Sequence, residues 1–278
     1  MVVIVKDIWK IFKELVKSWP VMQRIARYNN DQTYRENYLG DFWHFADPLL
    51  QIGIMVLMFA IRNGGDKGNP HATGLAGYIA WIALGMVTYF FMQSAMRKSA
   101  KSIQSQVNIL SRMKFSLSAI PMTEIITELR RYFVMLGIAF FVILFMNVKP
   151  SIYWLQFFYY FFAMMVFLYA LSLVTSTITV LVPDFYNAYA AILRVGMWIS
   201  GVIIPVDSPN FPLLLSNVLK LNPLYYIIQG FRETLLENPI WFWHNITANL
   251  LFWGIVLILL TVGAHIHMRF RNRFMDFV

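Results

Sequence analysis

Residues 152–182, IYWLQFFYYFFAMMVFLYALSLVTSTITVLV, form an uninterrupted apolar run that decides the fold class. The run contains no charged side chain, and a helix needs roughly 20 apolar residues to cross a hydrocarbon core about 30 Å thick. As one helix, these residues would rise about 46 Å, so the run must tilt or begin in the headgroup region. The sequence therefore predicts an all-α integral membrane protein.

The composition of the whole chain agrees with this prediction. Of its 278 residues, 59% are hydrophobic and only 13% are charged, whereas a soluble domain carries about 25% charged residues. Because so little charge cannot cover the surface of a globule, lipid must cover much of it. The chain has no cysteine, which excludes disulfides, thiol catalysis and cysteine-ligated metals. The net charge of +9 indicates basic cytoplasmic loops, and no nucleic-acid partner is expected.

Working outward from this run, the same criteria predict six spans in total. They lie at about 42–61, 75–96, 125–148, 152–182, 188–206 and 246–266. The apolar pieces of residues 207–245 are too short to cross a membrane, and Pro209, Pro212, Pro223 and Pro239 interrupt this segment. Such pieces favour a re-entrant helical hairpin before the last span.

Residues 1–41 precede the first span and are predicted to lie on the cytoplasmic side. Over residues 4–19, apolar side chains recur at helical spacing with lysines between them. This pattern is typical of an amphipathic helix in the membrane interface, although a helix that packs on a partner or on the core remains the alternative.

The distribution of basic residues predicts the orientation of the chain. Residues 1–41, 97–118 and 269–278 contain 15 lysines and arginines, against 5 in the loops on the other side. Because basic residues accumulate in cytoplasmic loops, we predict a multi-pass protein of the cell membrane with both termini in the cytoplasm. Residues 42–268 then form the transmembrane domain, and residues 269–278 form a cytoplasmic tail.

Three local motifs occur in a fixed order on this topology. They are Arg27-Tyr28 with Tyr38-Leu39-Gly40-x-x-Trp43, Asn108-Ile109-Leu110 with Lys114-Phe115, and Asn222-Pro223-Leu224-Tyr225-Tyr226 with Gly230-Phe231-Arg232. Together with the topology they resemble the permeases of ABC-2-type exporters of lipid-linked cell-wall polysaccharides, and within that branch the wall teichoic acid export permeases of Gram-positive bacteria. Ser116 and Ser200-Gly201 depart from the proline-containing patterns of many relatives, which weakens the assignment of one substrate.

The resemblance implies partners and a substrate. The chain would act as a homodimer with two nucleotide-binding ATPase subunits, in contact with membrane lipids, and would move a polymer carried on undecaprenyl diphosphate. O-antigen or another lipid-linked polysaccharide is the alternative to teichoic acid. The chain contains no G-x-x-x-x-G-K-[ST] phosphate cradle, so we expect no cofactor in it, with ATP and Mg bound by the partner subunit.

The resemblance also suggests which residues couple the chain to its ATPase. Residues 97–118 are basic and rich in Ser and Gln, and are predicted to form a short cytoplasmic helix between spans 2 and 3. Lys101, Gln104 and Asn108 share one face of that helix, which corresponds to the coupling helix of the resembling family. A solvated loop held by anionic lipid is the alternative.

Candidate substrate-binding residues fall into two groups, one before the first span and one along a transport path. Arg24, Arg27 and Arg35 stand just before the first span, where arginine could bind a lipid diphosphate through paired hydrogen bonds; the alternative is that they only obey the positive-inside rule. A transport path needs aromatic faces for sugar rings, and an intramembrane arginine usually faces a cavity or a partner. The path candidates are Tyr89, Arg194, Trp198, Tyr225 and Tyr226.

Arg194 is expected to line the path or to pair with Asp184 or Glu128, unless it extends to the interface.

A different class of function is a membrane transferase that acts on polyprenyl phosphates. It would need clustered Asp or His residues for metal–diphosphate chemistry, but the 14 acidic residues form no such cluster in the sequence, and the five histidines have no metal-ligand spacing. We therefore predict a transport subunit without catalytic or metal-binding residues.

Overall fold

The computed structural model describes residues 2–33, 42, 46, 49–50, 52–55, 57–58, 74–110, 115–145, 151–206, 211–236, 241–271 and 274. All regular elements of the described residues are helical, which confirms the predicted class. The α-helices are α1 (Val2–Thr33), α2 (Gly74–Leu110), α3 (Ile120–Phe145), α4 (Gln156–Leu181), α5 (Asp184–Ile199), α6 (Leu213–Lys220), α7 (Pro223–Leu235) and α8 (Ile246–Phe270). Short 3-10 turns occupy Leu117–Ala119, Ile152–Leu155 and Phe242–His244.

Three helical segments of the described chain are long and apolar enough to cross a membrane: Gly77–Gln106, Ile152–Leu181 and Ile246–Phe270. They cover most of the predicted second and fourth spans and all of the predicted sixth span. Helix α3 matches the predicted third span, but it begins at Ile120 and bears four charged residues before its uncharged part, 132–145. The predicted first span, 42–61, lies largely outside the described residues. The six-span topology therefore stays a prediction.

Helix α2 corrects the prediction of a separate helix at residues 97–118. It continues without a break from the apolar segment through Leu110, and at about 1.5 Å per residue its 37 residues are about 55 Å long. The physical reason is that residues 97–110 contain neither proline nor glycine, so nothing in the sequence ends the helix where its apolar part ends. The basic segment is thus a rigid extension of the second span.

Helix α1 is longer than predicted, since it continues through Pro20 to Thr33. Its buried side chains explain the extension, because they follow helical spacing across the proline. This buried stripe consists of Ile11, Ser18, Met22, Ala26 and Asn30. It packs on α3, α8 and the Leu117–Ala119 turn, which agrees with the packing alternative for this helix.

The exposed side of α1 carries both apolar and basic side chains, and its interfacial position stays a prediction. Trp9, Phe12, Val16 and Trp19 form an exposed apolar stripe. The exposed lysines Lys6, Lys10, Lys13 and Lys17 accompany it along the helix.

The predicted fifth span and the hairpin after it are shorter helices than a crossing requires. Helix α5 has 16 residues and ends in a turn at Gly201, whose φ of 64° favours glycine. Helices α6 and α7, of 8 and 13 residues, are separated at Asn222, which caps α7 by accepting a hydrogen bond from the Leu224 amide. Both fall short of about 30 Å, as the hairpin prediction requires.

One buried side chain fixes α7 in the bundle. Arg232 is 2% exposed, and its guanidinium donates hydrogen bonds to the carbonyl oxygens of Trp81 (3.0 Å), Gly201 (2.8 Å) and Val202 (2.6 Å). The guanidinium carbon also lies 3.5 Å from the centre of the Trp81 ring. The neighbouring Glu233 accepts a hydrogen bond from Gln229 at 3.2 Å.

Two of the three carbonyls are available because they lie in the turn after α5. Gly201 and Val202 follow the last residue of that helix, so their carbonyls are not used in helical hydrogen bonds. Arg232 therefore ties α7 to the turn after α5 and, through Trp81, to the N-terminal part of α2.

We predict that replacing Arg232 with alanine lowers the free energy of unfolding by about 3 kcal/mol or more, because three buried carbonyls lose charge-assisted hydrogen bonds. The loss should appear as a lower melting temperature of the detergent-solubilised chain. Arg194→Ala is the matched control, since Arg194 is exposed.

The position of Arg232 also predicts the effect of a substitution at Gly85. The change in stability should differ in sign between the natural chain and the Arg232→Ala variant. A Cβ atom at Gly85 would lie 2.1 Å from Nη2 of Arg232, which the three carbonyls hold in place. Gly85→Ala should therefore destabilise the natural chain but be neutral or stabilising beside Arg232→Ala, where the better helix propensity of alanine remains. Equal effects in the two backgrounds would show that the contact does not exist.

Candidate functional site: a basic cavity between two helices

The polar cavity of interest lies between α2 and α3, beside Ile52, and has a volume of about 280 Å³. Its polar lining consists of Gln93, Ser94, Arg97, Glu128, Arg131 and Tyr132, and the rest of its wall is apolar. The lining residues follow helical spacing: residues 87, 90, 94 and 97 on α2 face residues 128, 131, 132 and 135 on α3. The cavity is thus lined by one face of α2 and the opposing face of α3.

The charges around this basic cavity leave it positive. Glu128 is 5% exposed and pairs with the Lys98 ammonium at 2.5 Å, so its negative charge already has a partner. Arg97 is exposed and makes no hydrogen bond or ion pair to any described residue. With Arg131 on the facing helix, the basic cavity presents two guanidinium groups. Tyr132 is 2% exposed, and its hydroxyl is buried near the Thr88 side chain.

Two side chains of α2 bind one main-chain carbonyl of α5. Both Gln93 (Nε2, 2.8 Å) and Tyr89 (hydroxyl, 2.5 Å) donate hydrogen bonds to the carbonyl oxygen of Leu193. Gly196 permits this approach, because a Cβ atom there would lie 2.7 Å from the Tyr89 hydroxyl. Tyr89, a predicted path residue, is therefore completely buried between α2 and α5.

Arg194 and Trp198, two other path candidates, are exposed on α5 and lie four residues apart, on one face of the helix. Arg194 forms no ion pair with any described residue, so the expected pairing with Asp184 or Glu128 is wrong. Glu128 does not pair with Arg194 because it pairs with Lys98. The same surface of α5 includes Val195 and Ile199.

Tyr225 and Tyr226 are packed within the chain rather than grouped with Arg194. Tyr225 is buried against Gly201 and Val206. The Tyr226 hydroxyl lies 3.0 Å from that of Tyr159 and donates to Asn249. Both tyrosines thus fasten α7, and the structure does not bring the five path candidates into one surface of a single chain.

The predicted coupling residues lie on the extension of α2. Lys101 is exposed, and its ammonium lies 5.2 Å from the centre of the Tyr186 ring at the start of α5. Gln104 is half-buried. The backbone of Asn108 is helical, and its side chain lies outside the described residues.

The predicted entrance residues stand on the second half of α1. Arg24 and Arg27 are exposed there, and Arg35 lies outside the described residues. Elsewhere on this helix, Glu14 accepts hydrogen bonds from the Ser118 hydroxyl and, at 2.8 Å, from Arg271 at the end of α8. Glu14 thereby joins α1 to two other elements.

Sequence reasoning missed Arg97 and Arg131 as a site. Arg97 is the first charged residue after the uncharged stretch 74–96, and Arg131 is the last before the uncharged stretch 132–145. This symmetry is visible in the sequence, because both arginines mark the end of an apolar stretch. What the sequence does not show is that α2 and α3 turn these two stripes toward each other.

Within the described residues there is no group of three or more His, Cys, Asp or Glu side chains that could hold a metal ion.

A family comparison explains this combination of long apolar helices and short hairpin helices. Residues 21–236 match the family model described as ABC-2 type transporter. The chain therefore belongs to the ABC-2 type transporter family and is a membrane transport subunit, not an ATPase. Permeases of this family act together with ATPase subunits.

A curated relative is the O-antigen export system permease protein RfbA of Myxococcus xanthus. It is 18% identical over 229 residues, which are 82% of this chain and 85% of the relative. The similarity therefore extends over most of both chains.

The position of Glu14 predicts a pH dependence of stability. Burial raises the pKa of its carboxyl, but the hydrogen bonds from Ser118 and Arg271 outweigh burial and hold that pKa below its ordinary value. A lowered pKa in the folded state stabilises the protein above the pKa of the unfolded state, and this contribution is lost as the pH falls through the folded-state value.

Glu14→Gln should consequently lower the melting temperature at neutral pH, and the difference from the natural chain should shrink as the pH falls below about 4. Asp31→Asn is the control, because Asp31 and Arg130 form an exposed pair at 3.4 Å that contributes little. A difference for Glu14→Gln that does not change with pH would contradict the assigned ion pair.

Proposed function

We propose that this chain is the permease of an ABC exporter that moves a lipid-linked polysaccharide across the cytoplasmic membrane. The observation that carries the proposal is the similarity to an O-antigen export permease over more than four-fifths of both chains. This similarity favours O-antigen or a related polysaccharide over the wall teichoic acid suggested by the local motifs. The lipid carrier in this proposal is a polyprenyl diphosphate.

The proposed assembly contains two permease chains and two ATPase subunits. Helix α5 supports a second copy, because Ile192, Val195 and Ile199 leave an apolar surface uncovered beside Arg194. A charged side chain is costly at a lipid-facing position. A path between two α5 helices would give Arg194 water or substrate and would place Trp198 beside a sugar chain.

The proposed energy coupling acts through the extension of α2. Its rigid helix carries Lys101 away from the apolar segment, toward the cytoplasm in the predicted orientation. The ATPase subunits would contact this end, with ATP and Mg bound on their side.

The polymer identity is tested by deleting the gene in its native host and recovering the lipid-linked polymer that accumulates inside the cell. We expect a polymer of sugars, because the exporter that should flip it is missing. A polyol-phosphate polymer would instead support teichoic acid export. Unaltered surface polymers and no intracellular accumulation would contradict the proposed function.

For the coupling surface we predict that Lys101→Glu combined with Asn108→Trp reduces the amount of ATPase that co-purifies with the permease by about tenfold or more. The reason is that a reversed charge and a bulky side chain oppose docking on one helix face. Lys220→Glu, on α6, is the control and should retain the ATPase. If the double variant also retains the ATPase and exports normally, the contact lies elsewhere.

A further inference from the structure

We infer that the basic cavity between α2 and α3 binds the diphosphate headgroup of the lipid carrier on the cytoplasmic side, through Arg97 and Arg131. The inference deepens the proposed function and rests on it. It moves the carrier site away from the arginines of α1 to a cavity that two facing helices build.

The depth of the basic cavity fits the headgroup of a membrane lipid. Arg97 and Arg131 each stand at the boundary between a charged segment and an uncharged helical stretch. Such boundaries fall near the interface of the membrane, where lysine and arginine side chains meet phosphate groups. Two guanidinium groups at this level provide planar, paired donors, which suit phosphate oxygens.

The wall of the cavity explains why a lipid is favoured over a soluble anion. Ile52, Phe90 and Met135 lie beside the arginines and belong to uncharged stretches. A headgroup held by the arginines would leave its hydrocarbon chain against these side chains. Free phosphate or pyrophosphate would gain nothing from them.

The remaining polar groups leave the cavity suited to an anion. The negative charge of Glu128 is matched by Lys98, so it does not cancel the charge of the arginines. The other polar side chains of the lining, Gln93, Ser94 and Tyr132, carry no charge.

The site also reaches the proposed path. Gln93 lines the basic cavity and donates to the Leu193 carbonyl, the residue before Arg194. The Gln93 side chain would therefore separate a headgroup in the cavity from α5.

The test measures binding of undecaprenyl diphosphate, without any sugar, to the full chain in phosphatidylcholine nanodiscs by native mass spectrometry. We expect Arg97→Gln and Arg131→Gln each to weaken binding by about tenfold or more, since each removes charge-assisted hydrogen bonds. Arg130→Gln is the matched control: it neighbours Arg131 in sequence but reaches Asp31 at 3.4 Å, so it should bind as the natural chain does. Melting temperatures of all variants show whether they remain folded, and Arg97→Lys and Arg131→Lys replace any variant that does not fold.

Two further arms decide the source of the phosphate. Inorganic pyrophosphate that displaces the lipid at equal concentration would overturn the lipid assignment, and phosphatidylglycerol that binds equally well would overturn the diphosphate assignment. Unchanged binding in both arginine variants would overturn the site itself. None of these outcomes touches the gene-deletion experiment, so a failure of the site and a failure of the proposed function are distinguishable.

Discussion

The bundle depends on how one buried guanidinium is satisfied. Arg232 is on a helix too short to cross a membrane, and such a helix has no place in lipid unless protein holds it. Its three carbonyl partners belong to the N-terminal part of α2 and to the turn after α5. The turn at Gly201 has to exist for these carbonyls to point inward, and Gly85 has to lack a side chain for the guanidinium to fit. The end of α5, the packing of α2 and the position of α7 thus form one arrangement.

Hydrophobicity and helix-breaking residues made much of this fold predictable. The apolar run 152–182 agrees with the 3-10 turn and α4, and α8 extends the predicted sixth span by only four residues. The proline-rich segment contains two short helices, as its interrupted apolar pieces indicate. The errors occur where polarity was taken as the end of a helix. Residues 97–110 and 21–33 are polar but contain no residue that stops a helix, so α2 and α1 continue through them.

The candidate site was less predictable, because it depends on which helix faces turn toward each other. Tyr89 was selected as an aromatic residue of the path, but its hydroxyl is used to hold the Leu193 carbonyl. Arg194 and Trp198 share an exposed face, as their i and i+4 spacing predicts. Arg97 was counted only among the basic residues of 97–118, and Arg131 was given no role, since their sequence separation conceals that they line one cavity. Local pattern gives the face of a helix, whereas packing decides what that face meets.

The unbroken length of α2 connects these features mechanically. Near the start of this helix, the Trp81 carbonyl binds Arg232 of α7. Further along, Tyr89 and Gln93 bind the carbonyl of Leu193 in α5. Arg97 in the basic cavity and Lys101 follow toward its end. A helix with intact hydrogen bonds does not shorten or bend freely, and sharp kinks require proline, glycine–serine pairs or an inserted group. A displacement of α2 would act on its contacts with α3, α4, α5 and α7, and two of these are side-chain hydrogen bonds to the main chain, at the Leu193 carbonyl and at Arg232. The Arg232 contacts are buried and charge-assisted, while the link to α5 consists of two neutral side-chain hydrogen bonds to one carbonyl, which are weaker. Of these two polar contacts of α2, the one with α5 is consequently the weaker, and it lies next to the exposed residues Arg194 and Trp198.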